Sequence, residues 1–341
     1  MLTTAGKRAG VALLSILGVA VLTFFITQLL PGDPARIAAG QYASDEQVAQ
    51  VRATYGLDQS VPVQFGQYVA DFFRLDLGTS IRTGEPVRDE LTSRLPATLE
   101  LGLTALLIAV LLGVGLGVTA AVYRYRLGDR LVQVFVVLAS ATAVFWIALV
   151  AITTLVNGLG VFTSPTGRLP RGFTPPDQIT GFYVLDALLA GDPQTAGAAL
   201  RTLLLPALLL GVLASPSIVK IVRSATIRAL ESDFARTSRS FGYPARSILV
   251  QDGLRNSLLP VITNIGLVAG FVLAGGDVII EQLFAWPGIG GYAYSSLQEN
   301  DLFALRGYVI AIGVAYVLIN TTLEFVYGWA DPRVNLAEGR S

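Results

Sequence analysis

Apolar residues are grouped into six long stretches along the chain, and polar residues fill the segments between them. A bilayer core needs about 20 mostly apolar residues in a helix. We therefore predict an all-α integral membrane protein with six transmembrane helices. The first stretch follows Lys7 and Arg8 and is too long for the apolar part of a signal peptide, so we expect a retained anchor. The predicted spans are residues 9–30, 97–123, 131–156, 202–222, 258–280 and 305–329.

The segment 31–96, between the first two spans, is polar and too long for a simple loop. Ser44 and Gln47 form a capping box, which predicts the start of one helix. Pro62 predicts the start of a second helix, in which aromatic residues recur on one face. We expect a small helical segment outside the membrane. It is either an insertion without a role or a docking surface for an external partner.

Basic residues are concentrated in the segments that would lie on one side of the membrane. When residues 1–8 and 331–341 are placed in the cytoplasm, 14 of the 24 Lys and Arg and 7 of the 24 Asp and Glu lie inside. The inner segments then carry a charge of +7 and the outer segments −7. Because cytoplasmic loops carry the excess of Lys and Arg, we predict that both termini are cytoplasmic.

The composition narrows the range of functions. The chain is 53% apolar and 14% charged, whereas soluble domains carry about 25% charged residues. It has no Cys and no His, which excludes disulfides, thiolate or imidazole metal sites and a Ser-His-Asp triad. The zero net charge argues against nucleic-acid binding, and the sequence lacks a P-loop for ATP. We predict a path through a membrane rather than an enzyme, with no cofactor or metal bound by this chain.

Small residues within the spans predict how the helices pack. Gly113 and Gly117 share one helix face, and so do Gly266 and Gly270, which would let backbones approach closely. Glycine is also simply common in transmembrane helices, so each pair alone leaves both interpretations open. The prolines expected to kink or open a span are Pro206, Pro216 and Pro260.

The loop 223–257 contains a predicted short helix that ends at Gly242. Phe234, Ser238 and Phe241 would share one face of this helix, while two arginines would point elsewhere. Such a helix suits insertion into a groove of a protein partner. It equally suits an interfacial position with its arginines near lipid phosphates.

Polar residues within and beside the spans are candidates for a transport path. Ser217, Asn264 and Asn320 either line the path or bond between helices. Asp277 lies near the end of the fifth span, where an acidic residue is either functional or solvated at the interface. Trp286 suits an aromatic belt, and the Pro-Gly that follows it predicts a turn.

Five short motifs in and around the polar segment form a specific set. They are Leu30–Ala35, Tyr55–Asp58, Val61–Gln64, Asp76–Ser80 and Arg94–Glu100. Together they resemble the B-type permease subunit of binding-protein-dependent ABC importers of the dipeptide, oligopeptide and nickel group. The resemblance runs from the first span to a matching Asp331-Pro-Arg333. It implies the six-helix type I importer architecture.

In such importers, the loop that corresponds to 223–257 carries the coupling helix, which docks on the ATPase subunit. The family's Glu-Ala-Ala is replaced here by Arg236-Thr237-Ser238, while Gly242 and Leu259-Pro260 match its pattern. We expect closure of the ATPase dimer to move this helix and rock the spans. The implied coupling residues are Asp233, Phe234, Arg236, Thr237, Ser238, Arg239, Phe241 and Gly242.

The decapeptide Glu281–Gly290 resembles a second motif of these permeases, Glu-Thr-x-Phe-x-x-Pro-Gly-x-Gly, with Gln282 in place of Thr. In the family this motif forms a re-entrant outer segment beside the path, which we predict over 281–304. The implied outer gate residues are Asp277, Glu281, Phe284, Trp286, Pro287, Gly288 and Gly290.

The resemblance also implies partners. A C-type permease would complete the path as a heterodimer within the lipid bilayer. Two ABC ATPase subunits, or one fused ATPase chain, would hold ATP and Mg, and an extracytoplasmic binding protein would select the substrate. The implied substrates are short peptides, with nickel chelates, haem or other peptide-sized solutes as variants. A secondary transporter or channel is the alternative, but the spans hold too few charged residues to identify a coupling or selectivity site.

Overall fold

The computed structural model describes residues 2–28, 33–40, 42–164, 167–273 and 278–330. Within these ranges the chain is helical apart from loops and one isolated bridge between Thr79 and Pro86, so the all-α prediction is confirmed there. The helices are α1 (Leu2–Gln28), α2 (Pro34–Ala39), α3 (Asp45–Thr54), α4 (Val61–Phe73), α5 (Val87–Val122), α6 (Leu127–Ala141), α7 (Val144–Ala151), α8 (Tyr183–Leu189), α9 (Pro193–Glu231), α10 (Asp233–Ser240), α11 (Ala245–Ser247), α12 (Arg255–Leu273), α13 (Val278–Leu283), α14 (Ile289–Gln298) and α15 (Leu302–Ala330). Helices α7 and α11 continue as π-helical segments, Ile152–Gly158 and Ile248–Leu254 respectively.

Three helices of the described chain are long and apolar enough to cross a membrane: α5, α9 and the part of α15 up to Leu323. Helix α6 and the extended α7 form a fourth if this bent pair counts as one span. The stretches Leu13–Gln28 of α1 and Ser257–Leu273 of α12 are apolar but shorter. The structure therefore supports three or four of the predicted spans, and the count of six stays a prediction.

The predicted third span, residues 131–156, is not one continuous helix. Helix α6 ends at Ala141, the backbone is extended at Thr142 and Ala143, and the chain bends by 103° into α7. The last helical bond of α6 runs from the Thr142 N–H to the Leu138 carbonyl at 3.1 Å, and the Thr142 hydroxyl donates to the same carbonyl at 2.6 Å. Hydrophobicity did not reveal this break because the residues on both sides of it are apolar.

The centre of the core is the parallel pair α5 and α9. A Cβ added to Gly113 would lie 2.5 Å from Cβ of Ile218, and one added to Gly117 would lie 2.7 Å from Cβ of Val222. Because no side chain fits at these two positions, the structure favours close helix approach over the other interpretation that the sequence left open. The aligned contacts also show that the two helices advance in the same direction.

The other predicted packing devices have different outcomes. A Cβ on Gly266 would lie 2.3 Å from the side chain of Leu323, so this glycine also permits close helix contact, here between α12 and α15. Pro206 and Pro216 lie inside α9 and Pro260 lies inside α12, and neither helix ends there. With 39 residues at 1.5 Å each, α9 is about 58 Å long, longer at both ends than the predicted fourth span.

The polar segment 31–96 contains both helices predicted from its sequence. The Ser44 hydroxyl accepts a hydrogen bond from the Gln47 N–H at 3.3 Å, and the Gln47 side chain accepts one from the Ser44 N–H at 2.9 Å. This capping box begins α3. Helix α4 begins at Val61, next to Pro62. The side of the membrane on which the segment lies stays a prediction.

The segment is packed onto two of the apolar helices. The ring of Phe65 on α4 meets that of Phe24 on α1 edge to face, with 5.2 Å between centroids. The Ser80 hydroxyl donates to Asp301 at 2.6 Å, and the same carboxylate caps α15 by accepting from the Ala304 N–H. The segment is therefore anchored to α1 and to the start of α15.

Candidate functional site

The first candidate site is the short helix α10, which follows α9 after a single residue, Ser232. The Ser232 hydroxyl accepts a hydrogen bond from the Ala235 N–H at 3.4 Å and caps the helix. After α10, Gly242 has φ +79°, the left-handed conformation that favours glycine, and its N–H donates to the Arg239 carbonyl at 3.0 Å. The predicted short helix ended by glycine is confirmed.

The aromatic side chains of α10 are exposed. Phe234 is 73% exposed and Phe241 77%, whereas Ala235 is completely buried. Ser238, predicted on the same face as the two phenylalanines, is half-buried. The sequence prediction missed Tyr243, which is 56% exposed just beyond the helix. We call Phe234, Phe241 and Tyr243 the α10 aromatics.

The polar residues of α10 fall into two groups. Arg236 pairs with Asp233 at 3.3 Å, and both side chains are exposed, so this pair adds little to stability. The Thr237 hydroxyl donates to the Asp233 carbonyl within the helix. Arg239 differs, because its Nη2 donates to the Leu230 carbonyl at 2.7 Å and ties α10 to the end of α9.

Two ion pairs brace the end of α9 that carries α10. Arg223 donates from Nε and Nη2 to the two carboxylate oxygens of Asp129, each at 2.8 Å, which is the bidentate arrangement. Arg124 pairs with Glu231. Arg124 follows α5, and Asp129 lies in the first turn of α6. The end of α9 is thus fixed to the α5–α6 turn.

The second candidate site is a buried hydrogen-bond cluster where α5, α13 and α14 meet. The carboxylate of Glu281, on α13, is completely buried. It accepts hydrogen bonds from the Thr98 hydroxyl at 2.5 Å and from the Gly291 N–H at 2.8 Å. The Thr98 hydroxyl also accepts from the Ile289 N–H at 2.9 Å. We call these four residues the Glu281 hub.

The turn between α13 and α14 closes over the hub. Trp286 is buried. Its backbone N–H donates to the Glu281 carbonyl and its indole Nε1 donates to the Ala97 carbonyl, both at 2.8 Å. A Cβ on Gly288 would lie 2.0 Å from Oε1 of Glu281, and one on Gly290 would lie 3.0 Å from Oε2. The two glycines therefore leave the space that the carboxylate occupies.

The structure thus gives the predicted gate residues a common surrounding. Phe284 is 4% exposed and belongs to the main core, and Pro287 lies in the same turn. Asp277 lies outside the described residues. The gate residues brought together are Glu281, Phe284, Trp286, Pro287, Gly288 and Gly290.

A buried ion pair beside the hub was missed by the sequence analysis. Arg168 donates from Nη2 to Glu100 of α5 at 2.6 Å, with side-chain exposures of 6% and 5%. The Val184 N–H donates to the same carboxylate at 3.0 Å, and the Arg168 guanidinium lies 3.5 Å from the centroid of the Tyr183 ring. The only signal in the sequence was an acidic residue, Glu100, near the start of an apolar stretch.

The three candidate path residues are not grouped together. Ser217 and Asn264 hydrogen-bond to each other between α9 and α12, with Asn264 Nδ2 donating to Ser217 Oγ at 2.8 Å. Asn320 instead donates to the Tyr316 carbonyl within α15. Ser217 is exposed and Asn264 half-buried, so the first pair lies on an accessible face as well as joining helices.

The two sites differ in what they can do. The described ranges hold no group of three or more acidic side chains that could ligate a metal ion. The Glu281 hub is internally hydrogen-bonded and excludes solvent, so it suits the positioning of helices. The α10 aromatics present apolar surface to the outside, which suits docking of a partner.

Two protein-family models match most of the chain. Residues 113–336 match the binding-protein-dependent transport system inner membrane component. Residues 1–102 match the N-terminal model of the membrane component of the same systems. The first match contains α10 and the Glu281–Gly290 turn, and the second contains the polar segment and Thr98.

Curated relatives align over nearly the whole chain. The probable D,D-dipeptide transport system permease protein DdpB of Escherichia coli K12 is 43% identical over 98% of this chain and 97% of its own length. The di/tripeptide transport system permease protein DppB of Pseudomonas aeruginosa is 35% identical over 98% and 99%. The dipeptide transport system permease protein DppB of E. coli K12 is 33% identical over 96% and 97%.

Proposed function

Because the chain belongs to the family of binding-protein-dependent transport system inner membrane components, we propose that it is the B-type permease subunit of an ATP-driven importer of short peptides. It forms half of the path, and a related C-type permease forms the other half. Separate ATPase chains hold ATP and Mg, and an extracytoplasmic protein delivers the substrate. The observation that carries this proposal is the exposed aromatic helix α10 at the end of a braced 39-residue helix.

In this proposal all six apolar stretches cross the inner membrane, and both termini are cytoplasmic. Support comes from the packing of the two shorter apolar helices, α1 and α12, against α15, which is long enough to span a bilayer. The excess of basic residues on the α10 side supports the orientation. The polar segment with α2, α3 and α4 then lies outside, where a binding protein would dock.

The α10 aromatics are the part of the surface that would enter a groove of the ATPase. Full burial of a phenylalanine side chain is worth about 2 kcal/mol, and Phe234 and Phe241 are about three-quarters exposed in the isolated chain. Docking would therefore gain free energy that the single chain does not obtain. Since Arg239 and two ion pairs brace the base of α10, motion of the ATPase would move the end of α9 with it.

The test is ATP-driven uptake into proteoliposomes that contain the complete importer. Phe241→Asp should weaken ATPase binding about 30-fold, equivalent to about 2 kcal/mol, and abolish uptake without loss of membrane insertion. Gly242→Pro should also uncouple, because proline cannot adopt φ +79°. Leu127→Asp is the control, since Leu127 lies at the same end and is 70% exposed but outside α10. Normal uptake by either well-inserted α10 variant would contradict the coupling role.

The proposed substrate class rests on the relatives, which are named for dipeptides, tripeptides and D,D-dipeptides. Uptake of radiolabelled L-alanyl-L-alanine and D-alanyl-D-alanine by the complete importer would separate the two stereochemical classes. Because the relative named for D,D-dipeptides is 43% identical, we expect the D,D-dipeptide to be carried. Uptake of a nickel chelate or haem with no uptake of either peptide would contradict the peptide assignment.

We further propose that the Glu281–Gly290 turn belongs to the outer gate and that Ser217 and Asn264 line the path. The chain has no native Cys, so a single introduced thiol is a unique label. Ser217→Cys should react with a water-soluble thiol reagent, because Ser217 is exposed on α9. Ser215→Cys is the matched control, since Ser215 is completely buried two residues away. Equal labelling of both variants would contradict the path-lining role of Ser217.

A further inference from the structure

A groove of about 350 Å³ lies beside α10, at the end of α9 that carries it. Its walls come from the last turns of α5 and α9, from the end of α10 and from the residues that lead through α11. The volume is within the range of about 300–1000 Å³ that is usual for small-molecule sites. The wall residues used below are Val122, Leu230, Arg239, Tyr243, Arg246 and Ile248.

The apolar part of the wall continues an exposed apolar stripe on α5. Ile248 is buried in the wall, whereas Val122 is 48% exposed. Leu103, Leu107 and Leu111 are exposed as well, and their four-residue spacing puts them on one side of α5. Val122 follows Leu111 by 11 residues, about three helical turns, so it lies on the same side. The stripe that would face lipid along α5 therefore ends in the groove.

Two arginines in the wall are accessible to a ligand. Arg246 is exposed, and its side chain forms no hydrogen bond or ion pair with any residue that the structure describes. Arg239 is also exposed, and its Nη2 donates to the Leu230 carbonyl at 2.7 Å. This bond uses only one of the five N–H groups of a guanidinium. Tyr243, which is 56% exposed, adds a hydroxyl to the same wall.

The charge around the groove is positive, because the nearby carboxylates are already paired with arginine. In residues 121–133 and 223–251, where the structure describes every acidic side chain, these carboxylates are Asp129, Glu231 and Asp233. The exposed arginines of the same two ranges that lack an acidic partner among the described residues are Arg126, Arg130, Arg228 and Arg246. This end of the chain therefore attracts anions.

We propose that the groove binds one anionic phospholipid, with an acyl chain along its apolar wall and the phosphate at Arg239 and Arg246. A guanidinium matches phosphate oxygens in charge and geometry. A free phosphate ion would leave the apolar wall uncovered. The inference rests on the proposed function, which places Val122 near the cytoplasmic surface of the membrane. Basic pockets between helices on that side bind anionic head groups.

The lipid and the ATPase would contact different parts of this end of the chain. Phe234 and Phe241 do not line the groove, and Tyr243 is the one α10 aromatic in its wall. The groove joins the ends of α5 and α9 to the residues after α10. A bound lipid would therefore hold the segment between α10 and α11 against the membrane.

The experiment is a lipid titration of the purified full chain in an uncharged detergent, followed by native mass spectrometry. The probes are phosphatidylglycerol and phosphatidylcholine with identical acyl chains. We expect one phosphatidylglycerol to bind at least about fivefold more tightly than phosphatidylcholine. Glycerophosphoglycerol, which is the head group without acyl chains, and inorganic phosphate should not displace it.

Three variants separate a built site from general attraction of anions. Arg246→Gln should weaken phosphatidylglycerol binding about fivefold, and Arg246→Lys should keep most of the binding because it keeps the charge. Arg126→Gln is the matched control, since Arg126 is exposed at the same end but does not line the groove, and it should change binding less than about twofold. Arg246→Gln should unfold like the native chain, because no described residue pairs with the Arg246 side chain.

Three results would overturn the proposal. One is equal affinity for the two lipids. Another is an equal loss of binding in Arg246→Gln and Arg126→Gln, which would mean that the positive charge attracts anions without a site. The third is displacement of the lipid by inorganic phosphate, which would indicate a site for free anions. Because the titration contains neither ATPase nor substrate, its failure is distinguishable from a failure of the proposed function, which would appear in uptake.

Discussion

Replacement of Thr98 by valine tests whether the Glu281 hub holds α5, α13 and α14 together. Valine keeps the branched shape and removes only the hydroxyl. The Glu281 Oε1 then loses the donor at 2.5 Å, and the Ile289 N–H loses the acceptor at 2.9 Å. Each buried polar group left without a partner costs about 1–3 kcal/mol. We expect the free energy of unfolding to fall by about 4 kcal/mol, which is exceptional for one substitution.

The matched control is Thr104→Val, the same change on the same helix. The Thr104 hydroxyl donates only to the Glu100 carbonyl at 2.7 Å, four residues earlier in the helix. Such a bond back to the helix adds no stability across elements. We expect Thr104→Val to change the free energy of unfolding by less than about 1 kcal/mol.

The assay is reversible unfolding in mixed micelles with increasing sodium dodecyl sulfate, followed by circular dichroism. The two variants should differ by about 3 kcal/mol, which is more than a hundredfold in the unfolding equilibrium. Costs within 1 kcal/mol of each other would refute the hub as a joint between helices. In a double-mutant cycle, Thr98→Val and Glu281→Gln should be less than additive by at least about 0.5 kcal/mol, because they break one shared bond.

Three further predictions use the same unfolding measurement. Gly288→Ala puts a Cβ 2.0 Å from the buried Glu281 carboxylate and should lower the free energy of unfolding by at least about 2 kcal/mol. Gly291→Ala has its nearest contact at 3.5 Å and should lower it by less than about 1 kcal/mol. Equal losses in the two variants would contradict the steric argument. Gly113→Ala should separate α5 from α9 and so lower the free energy of unfolding. The Cβ of Gly115→Ala meets nothing within 4 Å, so this change should leave the free energy of unfolding unchanged or raise it by up to about 1 kcal/mol. Burial by itself raises the pKa of Asp186. Hydrogen bonds from one hydroxyl and three backbone N–H groups outweigh that effect, so the pKa of Asp186 lies below its usual range. Its stabilisation is complete above about pH 4 and is lost as the pH falls through the lower folded pKa, so an unchanged acid profile in Asp186→Asn would count against this account.

Local signals in the sequence were sufficient for elements whose determinants are close together in the chain. The capping box at Ser44 and the glycine stop at Gly242 each depend on bonds within a few residues, and both are present in the structure. The glycine pair on α5 leaves two interpretations open in the sequence, and the structure decides between them because Ile218 and Val222 of α9 lie directly against the two glycines. A partner helix is distant in sequence, so a pattern on one helix could not identify it.

The contacts of the Glu281 hub could not be predicted from the sequence for the same reason. Thr98 and Glu281 are 183 residues apart, and Glu100 and Arg168 are 68 apart. Motif resemblance singled out both short stretches that contain Thr98 and Glu281, but it gave no sign that the two stretches bond to each other. The bend after Ala141 could not be predicted from the sequence, because a straight helix and a broken helix show the same pattern of apolar residues.

The two candidate sites differ in whether contacts within the chain bury their side chains, so we expect mutations at the two sites to have different effects. At the hub, the buried Glu281 carboxylate accepts two hydrogen bonds, and the Thr98 hydroxyl both donates and accepts one. At α10, large aromatic surfaces stay in solvent although the base of the helix is braced. Because α5 and α9 pack in parallel, the two sites lie toward opposite ends of α9. The helix rise between Thr202, which lies beside the hub, and Asp233 gives a separation of about 45 Å. Substitutions in the hub should therefore lower stability before transport, and those at α10 should lower transport with stability unchanged.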